Sequence, residues 1–335
     1  MLDNCKILVT GATGFVGKHL ILELVKKYSE VCALVRKSSN VEFLKSLGVE
    51  LRYADLSEKE SLKGCVRGTD ILIHLAALMS DKDYLPRSEF YRVNVLGTKN
   101  ILEEALKPVK QFIYISTVGV YGATSINGAD ETQGYGKRLS KYEFSKAEAE
   151  KLVLGFAKQN NIYATILRLG QLYGPQMNYG WPEVIRKIED GRMFILGKGD
   201  TLLQLTYIDD VVQGIMRSIN NERCFDQIIN ICADKAYKMQ DILFEIARQL
   251  KKPYPQHLPL WPVYLLATVL KTIPLRLKPD GLRYLDVHRV SFFKYHHIYN
   301  IKKARELLAY APQIELNSGI AKMIEWYNER RSRFL

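Results

Sequence analysis

Short apolar runs alternate with stretches of helical periodicity along the first half of the chain. KILVT (6–10), VCALV (31–35), VELRYA (49–54), DILIHLAA (70–77), QFIYIS (111–116) and NIYATILRL (161–169) have the length and composition of strands. Between them, FVGKHLILELVKKY and SEFYRVNVLGTKNILEEAL space their apolar residues as helices do. Strands this uniformly apolar are buried on both faces. The pattern therefore predicts a doubly wound α/β fold, a parallel sheet covered by helices on each side. After about residue 170 the order loosens, and loops such as LYGPQMNYGWP and LGKGD mix with helices. Two regions are expected, 1–170 and a smaller, mixed 171–335, interleaved rather than joined by a linker.

Composition narrows the class. The chain has 335 residues, 47% apolar and 25% charged, as expected of a globular protein in water. Its N-terminus, MLDNCKILVT, lacks the layout of a signal peptide, so a cytoplasmic location is expected. The five cysteines are widely spaced, without a C-x-x-C, and read as reduced thiols. No metal spacing is present. His296 and His297 would point to opposite faces of a strand. Net charge is +12, and Lys251 to Lys303 holds ten Lys/Arg against Asp280 and Asp286. Such a basic stretch suits an anionic membrane surface or an acidic partner, or is simply solvated. No nucleic-acid recognition motif accompanies it.

The first strand runs into TGATGFVG, Thr10 to Gly17. Gly11, Gly14 and Gly17 allow a tight turn and a close backbone approach to a pyrophosphate. Thr13, Phe15 and Val16 complete the loop and open the helix, whose N-terminal N–H groups favour an anion. After the first strand of an alternating chain, this reads as a Rossmann-type dinucleotide site. NAD sites usually carry an acid at the end of the second strand, whereas here ALVRKSS puts Arg36 and Lys37 there. A guanidinium suits a 2′-phosphate, so NADP(H) is favoured over NAD(H); the alternative is that Arg36 only stacks on adenine. Asp55 and Leu56 after the third strand could border the adenine. Leu75, Ala76 and Ala77 after the fourth leave room for cofactor.

Y-x-x-x-K occurs as Tyr142–Lys146 and Tyr299–Lys303. The first opens a helix after the fifth strand, where residues i and i+4 share a face. A cation beside the phenol would lower its pKa and make a proton donor or acceptor. The second has no such setting and reads as surface. The fifth strand ends in STVGVYG, and Ser116 and Thr117 stand where ligands bind open α/β sheets.

Together these residues resemble the extended short-chain dehydrogenase/reductases. TGATGFVG, HLAA, NVLGT, STVGVYG, YEFSK, LRLGQLYGP and TYIDDVV match in family order. The resemblance implies Tyr142 as acid/base and Lys146 as its partner on the nicotinamide ribose. It also implies Thr117, with Ser116 as fallback, as the catalytic hydroxyl and Asn94 as the active-site Asn. Leu169 replaces the family's usual proline beside the cofactor. Val118 and Gly119 stand where sugar dehydratases carry Asp-Glu. Leu203-Gln204-Leu205 stands where many nucleotide-sugar enzymes carry Arg-Asp-Phe. IYNIKKARELLAYAP is similar to the tail of the 3β-hydroxysteroid and sterol dehydrogenase branch. The resemblance implies an oxidoreductase acting on an apolar substrate, with a nucleotide-sugar epimerase as the rival, and a homodimer.

LPLWPVYLLATVL, Leu258 to Leu270, carries no charge in thirteen residues. As a helix it would rise about 20 Å, short of the ~30 Å of a bilayer core. It reads as a core helix, as a greasy lid facing a membrane surface, or as a subunit contact.

Overall fold

A computed structural model describes residues 3–332 except 83, 107–108, 126, 138 and 272–286. Seven strands form one parallel sheet: β1 (Asp3–Thr10), β2 (Tyr28–Val35), β3 (Glu50–Tyr53), β4 (Ile71–His74), β5 (Gln111–Thr117), β6 (Tyr163–Leu169) and β7 (Gln227–Ile231). Their order is β7-β6-β5-β4-β1-β2-β3, so the direction of winding reverses between β1 and β4. All six alternating runs of the first half are strands. The seventh comes from the second half, where QIINI is only five residues long and begins on a glutamine. The Rossmann-type α/β class read from the sequence is the observed one.

Alternation along each strand splits the core in two. Ile7 and Val9 of β1, with Ile113 and Ile115 of β5, join Leu20, Ile21 and Leu24 of α1 (Phe15–Lys27). Leu8, Phe112 and Tyr114 face the other way, against Ile101 and Leu102 of α2 (Gly97–Glu104) and Ala149, Val153 and Ala157 of α3 (Lys141–Asn160). Helix α4 (Ile208–Ser218) adds Val211, Val212 and Ile215 to the first layer, beside α1. Because every strand is parallel, the C-terminal ends gather at one edge, from which TGATGFVG, ALVRKSS, HLAA and STVGVYG all lead.

Two readings are corrected. Tyr299 is buried, stacked on Tyr121 with ring centroids 5.9 Å apart, so Tyr299–Lys303 is not a surface pair. An apolar body next to Tyr121 outweighs the exposure suggested by its basic neighbours. The run from Leu258 is also not a plain core helix. Leu258 ends a short strand, Gln256–Leu258, and α5 (Leu260–Lys271) buries Ala267 and Leu270 but leaves Trp261, Leu265, Leu266 and Val269 exposed. Arg276, Lys278, Asp280 and Asp286 lie outside the described residues. Cys32, Cys65, Cys224 and Cys232 are buried thiols outside any disulfide.

The glycine loop depends on close approach. A Cβ on Gly17 would stand 2.2 Å from the Gly11 carbonyl oxygen, and one on Gly11, at φ +73°, would stand 2.7 Å from the Ala76 nitrogen. A Cβ on Gly14 meets only the Gly11 oxygen, at 3.2 Å. Gly17→Ala should therefore cost about 1–3 kcal/mol or more and Gly14→Ala clearly less. Urea denaturation of both variants checks this; equal midpoints would contradict it.

Candidate functional site

β5 ends at Thr117, and the chain turns through Val118–Tyr121. The Thr117 Oγ accepts the Gly119 N–H at 3.1 Å, which leaves its own O–H to donate. A Cβ on Gly119 would lie 2.9 Å from Glu143 Cγ. Glycine here lets the first turn of α3 lie against the end of β5. That turn is held by a capping box, with Ser140 Oγ accepting from Glu143 N–H and Glu143 accepting from Ser140 N–H.

Tyr142 and Lys146 follow on one face of α3. Lys146 is 2% exposed; its Nζ donates to the Ile115 carbonyl at 2.6 Å and stands 4.1 Å from the centre of the Tyr114 ring. Burial lowers its pKa to about 7, against the opposing charge of Glu150. Tyr142 departs from the sequence expectation. Burial pushes its phenol above the ordinary value, with Tyr179 and Glu143 adding to the rise. The Lys146 ammonium donates to Ile115 and is not among the groups that shift the phenol.

Asn94 is buried in a π-helical turn, Arg92–Leu96. Its Nδ2 donates to Ser145 Oγ at 2.8 Å and to Leu78 O at 3.0 Å, while its Oδ1 accepts from Leu78 N–H at 2.6 Å. Ser145 Oγ in turn donates to Tyr142 O at 2.7 Å. The Asn94 side chain thus holds the Tyr–Lys turn rather than facing open space. Ser116, the fallback hydroxyl, is buried and donates to Glu150.

Glu150 is a group the sequence reading passed over. It is fully buried one turn beyond Lys146, paired with Arg168 of β6 at 2.6 Å, and it also accepts from Tyr135 at 3.1 Å. Its signal was a glutamate at i+4 from Lys146, opposite a lone arginine inside an apolar strand. His74 was passed over as well. It links Thr10 Oγ1 at 2.7 Å to Thr98 Oγ1 at 3.0 Å, and burial depresses its pKa to about 3, so it is neutral.

The other edge of the site can hold a dinucleotide. Helix α1 has no side-chain cap at Gly14 and no acid in its first turn. The N–H groups of Phe15, Val16 and Gly17 therefore have no intrahelical acceptor and suit a diphosphate. The glycine cradle leaves no space for a Cβ where the backbone must pass closest. Thr10 Oγ1 accepts from Ala76 N–H at 3.2 Å, so Leu75, Ala76 and Ala77 border the loop. Beyond it lies a cavity of about 440 Å³ lined by Thr13, Lys18, Arg36, Ser39, Asn40 and Glu42. Lys18 was not singled out in the sequence. Asp55 sits near enough to feel Arg36. Burial raises its pKa, but hydrogen bonds from Ser57 and the Arg36 and Arg92 charges bring it below the usual value. Leu56 follows it and accepts from Asn100 Nδ2 at 2.9 Å through its carbonyl. Leu169, buried at the end of β6, is in register with Thr117.

On the substrate side, Leu203 and Leu205 are buried in the core. Gln204 Nε2 donates to Ala233 O at 2.8 Å and Tyr299 O at 3.1 Å. This stretch is a packed latch without a cation.

Residues 7–232 match the model of the NAD dependent epimerase/dehydratase family. A UDP-N-acetyl-alpha-D-glucosaminuronate decarboxylase of Bacillus cytotoxicus is 29% identical, covering 97% of this chain and 98% of its own. A decarboxylating sterol-4-alpha-carboxylate 3-dehydrogenase of Candida albicans is 27% identical, covering 96% and 97%. The solved UDP-glucuronic acid 4-epimerase of Bacillus cereus, in complex with UDP-glucuronic acid and NAD, superposes with a TM-score of 0.78 at 23% identity, over 97% of this chain and 99% of that one. With a family match across most of its length, the chain belongs to the NAD dependent epimerase/dehydratase family, whose members are NAD(P)-binding enzymes.

Proposed function

We propose that this enzyme interconverts an alcohol and a carbonyl on an apolar, steroid-, isoprenoid- or lipid-like substrate, with NADP(H) as the preferred hydride carrier. The observation that carries the substrate class is the latch at Leu203-Gln204-Leu205. Its two leucines are buried and its glutamine is spent on backbone carbonyls, so it offers no cation to a diphosphate. Sterol dehydrogenases among the relatives agree with this reading. The second reading, a nucleotide-sugar enzyme, is favoured by the Bacillus cytotoxicus relative. A screen of NADPH consumption with apolar ketones against UDP-sugars separates the two. Net oxidation with ketones alone supports the first; turnover of UDP-sugars without net oxidation supports the second.

The nicotinamide, when bound, supplies or accepts the hydride. The chain supplies the proton. Burial keeps Tyr142 protonated at neutral pH, ready to donate from its phenolic oxygen to a forming alkoxide. Thr117 directs its free O–H to the same substrate oxygen. Lys146, by resemblance, engages the nicotinamide ribose, and Asn94 and Ser145 keep that turn of α3 in place. Arg36 and Lys18, across the cavity beyond the glycine loop, would hold a 2′-phosphate.

Tyr142→Phe should lower turnover by about 10²–10⁴-fold while NADPH still binds; initial rates and fluorescence titration check both halves, and near-wild-type turnover would sink the assignment. Arg36→Ala and Lys18→Ala should each weaken NADPH by about 10–100-fold, the value of a charge-assisted hydrogen bond, with NADH changed by less than about 3-fold. Equal losses for the two cofactors would mean that Arg36 stacks on adenine only.

Lys146 also makes a prediction in pH. Its pKa is about 7 in the folded chain against an ordinary value of 10.5. Below pH 7 it is charged in both states, and the cost of burying the charge is fully present. Between about 7 and 10.5 the unfolded chain binds the proton that the folded chain has released, so stability rises with pH across this window. Relative to Lys146→Met, the wild type should gain a few kcal/mol of unfolding free energy between about pH 6.5 and about pH 10. A difference that stays flat in urea titrations would show that the ammonium persists.

A further inference from the structure

We propose that the exposed face of α5 seats this protein on an anionic lipid surface. Trp261, Leu265 and Val269 recur every four residues and are 72%, 58% and 53% exposed, and Leu266 beside them is 41% exposed. The opposite side, Ala267 and Leu270, is buried. The one polar residue along the ridge, Thr268, returns its hydroxyl to the Tyr264 carbonyl at 2.9 Å. Leu258 and Phe194, on the paired segments Gln256–Leu258 and Phe194–Leu196, are exposed as well. A contiguous apolar face of this kind marks a contact surface.

The charges around it point to the occupant. From Lys251 to Pro279 there is no acidic residue. Lys294 stands 3.4 Å from the centre of the Tyr264 ring on α5 itself. Lys251 and Lys252 are exposed before the helix. Lys198 is exposed next to Gly197, whose N–H donates to the Leu258 carbonyl at 2.8 Å; Asp200, shortly after it in the chain, is exposed too. An apolar ridge with a tryptophan, rimmed by cations, matches the interface of an anionic bilayer. A second copy apposed on this face would bring the same cations together, which is repulsive. No helix among the described residues is long and apolar enough to cross a membrane, so the contact is peripheral. The inference does not depend on which substrate is reduced, because it is read from lipid binding alone.

The test is flotation of the full chain with phosphatidylcholine vesicles, with or without about 30% phosphatidylglycerol. Salt is set at about 0.05 M and about 0.5 M, between which screening of surface charge increases strongly. Most of the protein should float with the anionic vesicles at low salt, and several-fold less at high salt or with phosphatidylcholine alone. Trp261→Ser combined with Leu265→Ser should lower partition at least ~10-fold, two large apolar side chains being lost from the contact. These positions are exposed, so circular dichroism and the melting temperature should match the wild type. Lys251→Glu combined with Lys252→Glu should lower it several-fold and leave the ridge intact. Wild-type protein that stays unbound at low salt, or floats equally with neutral vesicles, overturns the proposal. So does a dimer in sedimentation that the Trp261/Leu265 variant dissolves, since the ridge would then be a subunit contact.

Discussion

A carboxylate with no exposure to water has to be surrounded by donors, and Glu150 draws the catalytic half of the molecule around itself. Arg168 of β6, Ser116 of β5 and Tyr135 of the loop before α3 all donate to it. Leaving such a charge unpaired would cost several kcal/mol, so the helix, two strands and a loop can meet in few other ways. The gain is in geometry more than in stability. Glu150 lies one turn beyond Lys146, so the spacing between the ion pair and the Tyr–Lys face is set by the helix itself. The same carboxylate opposes the effect of burial on Lys146.

At the other half of the edge the organising constraint is steric. Gly11 and Gly17 bring the end of β1, the start of α1 and the residues after β4 within contact distances that a Cβ would prevent. His74, neutral and buried, braces this corner to α2. The two constraints act on neighbouring strands of one parallel sheet, β4 and β5. Together they set a cradle for phosphates beside a proton donor on a helix. The order of strands creates the crevice; the glycines and the ion pair decide what fits it.

The two readings of the substrate turn on small differences within a common frame. The family contains enzymes of sugar nucleotides and of sterols, and fold alone does not choose between them. In this chain the stretch before α4 is apolar and latched, and it offers no cation to a diphosphate.

Much was legible in the sequence because it depends on neighbours along the chain. Apolar runs five to nine residues long, separated by helical spacing, specify buried parallel strands. Three glycines after the first of them specify the phosphate loop. Tyr142 and Lys146 share a face because four residues make one helical turn. Other features depend on partners far apart in sequence, and only tertiary structure decided them. QIINI became a strand because β6 offered an open edge. Tyr299 was buried because Tyr121 and Gln204 met it. The Tyr142 phenol moved up rather than down because tertiary packing buried it beside Tyr179 and Glu143. Asn94 was drawn into holding α3 by Ser145 and Leu78. In Leu258–Leu270, the sequence determined that the run is apolar and too short to span a bilayer. Which of its faces meets water was decided by what packs behind Ala267 and Leu270, since a helix without a polar side carries no local signal of its own orientation.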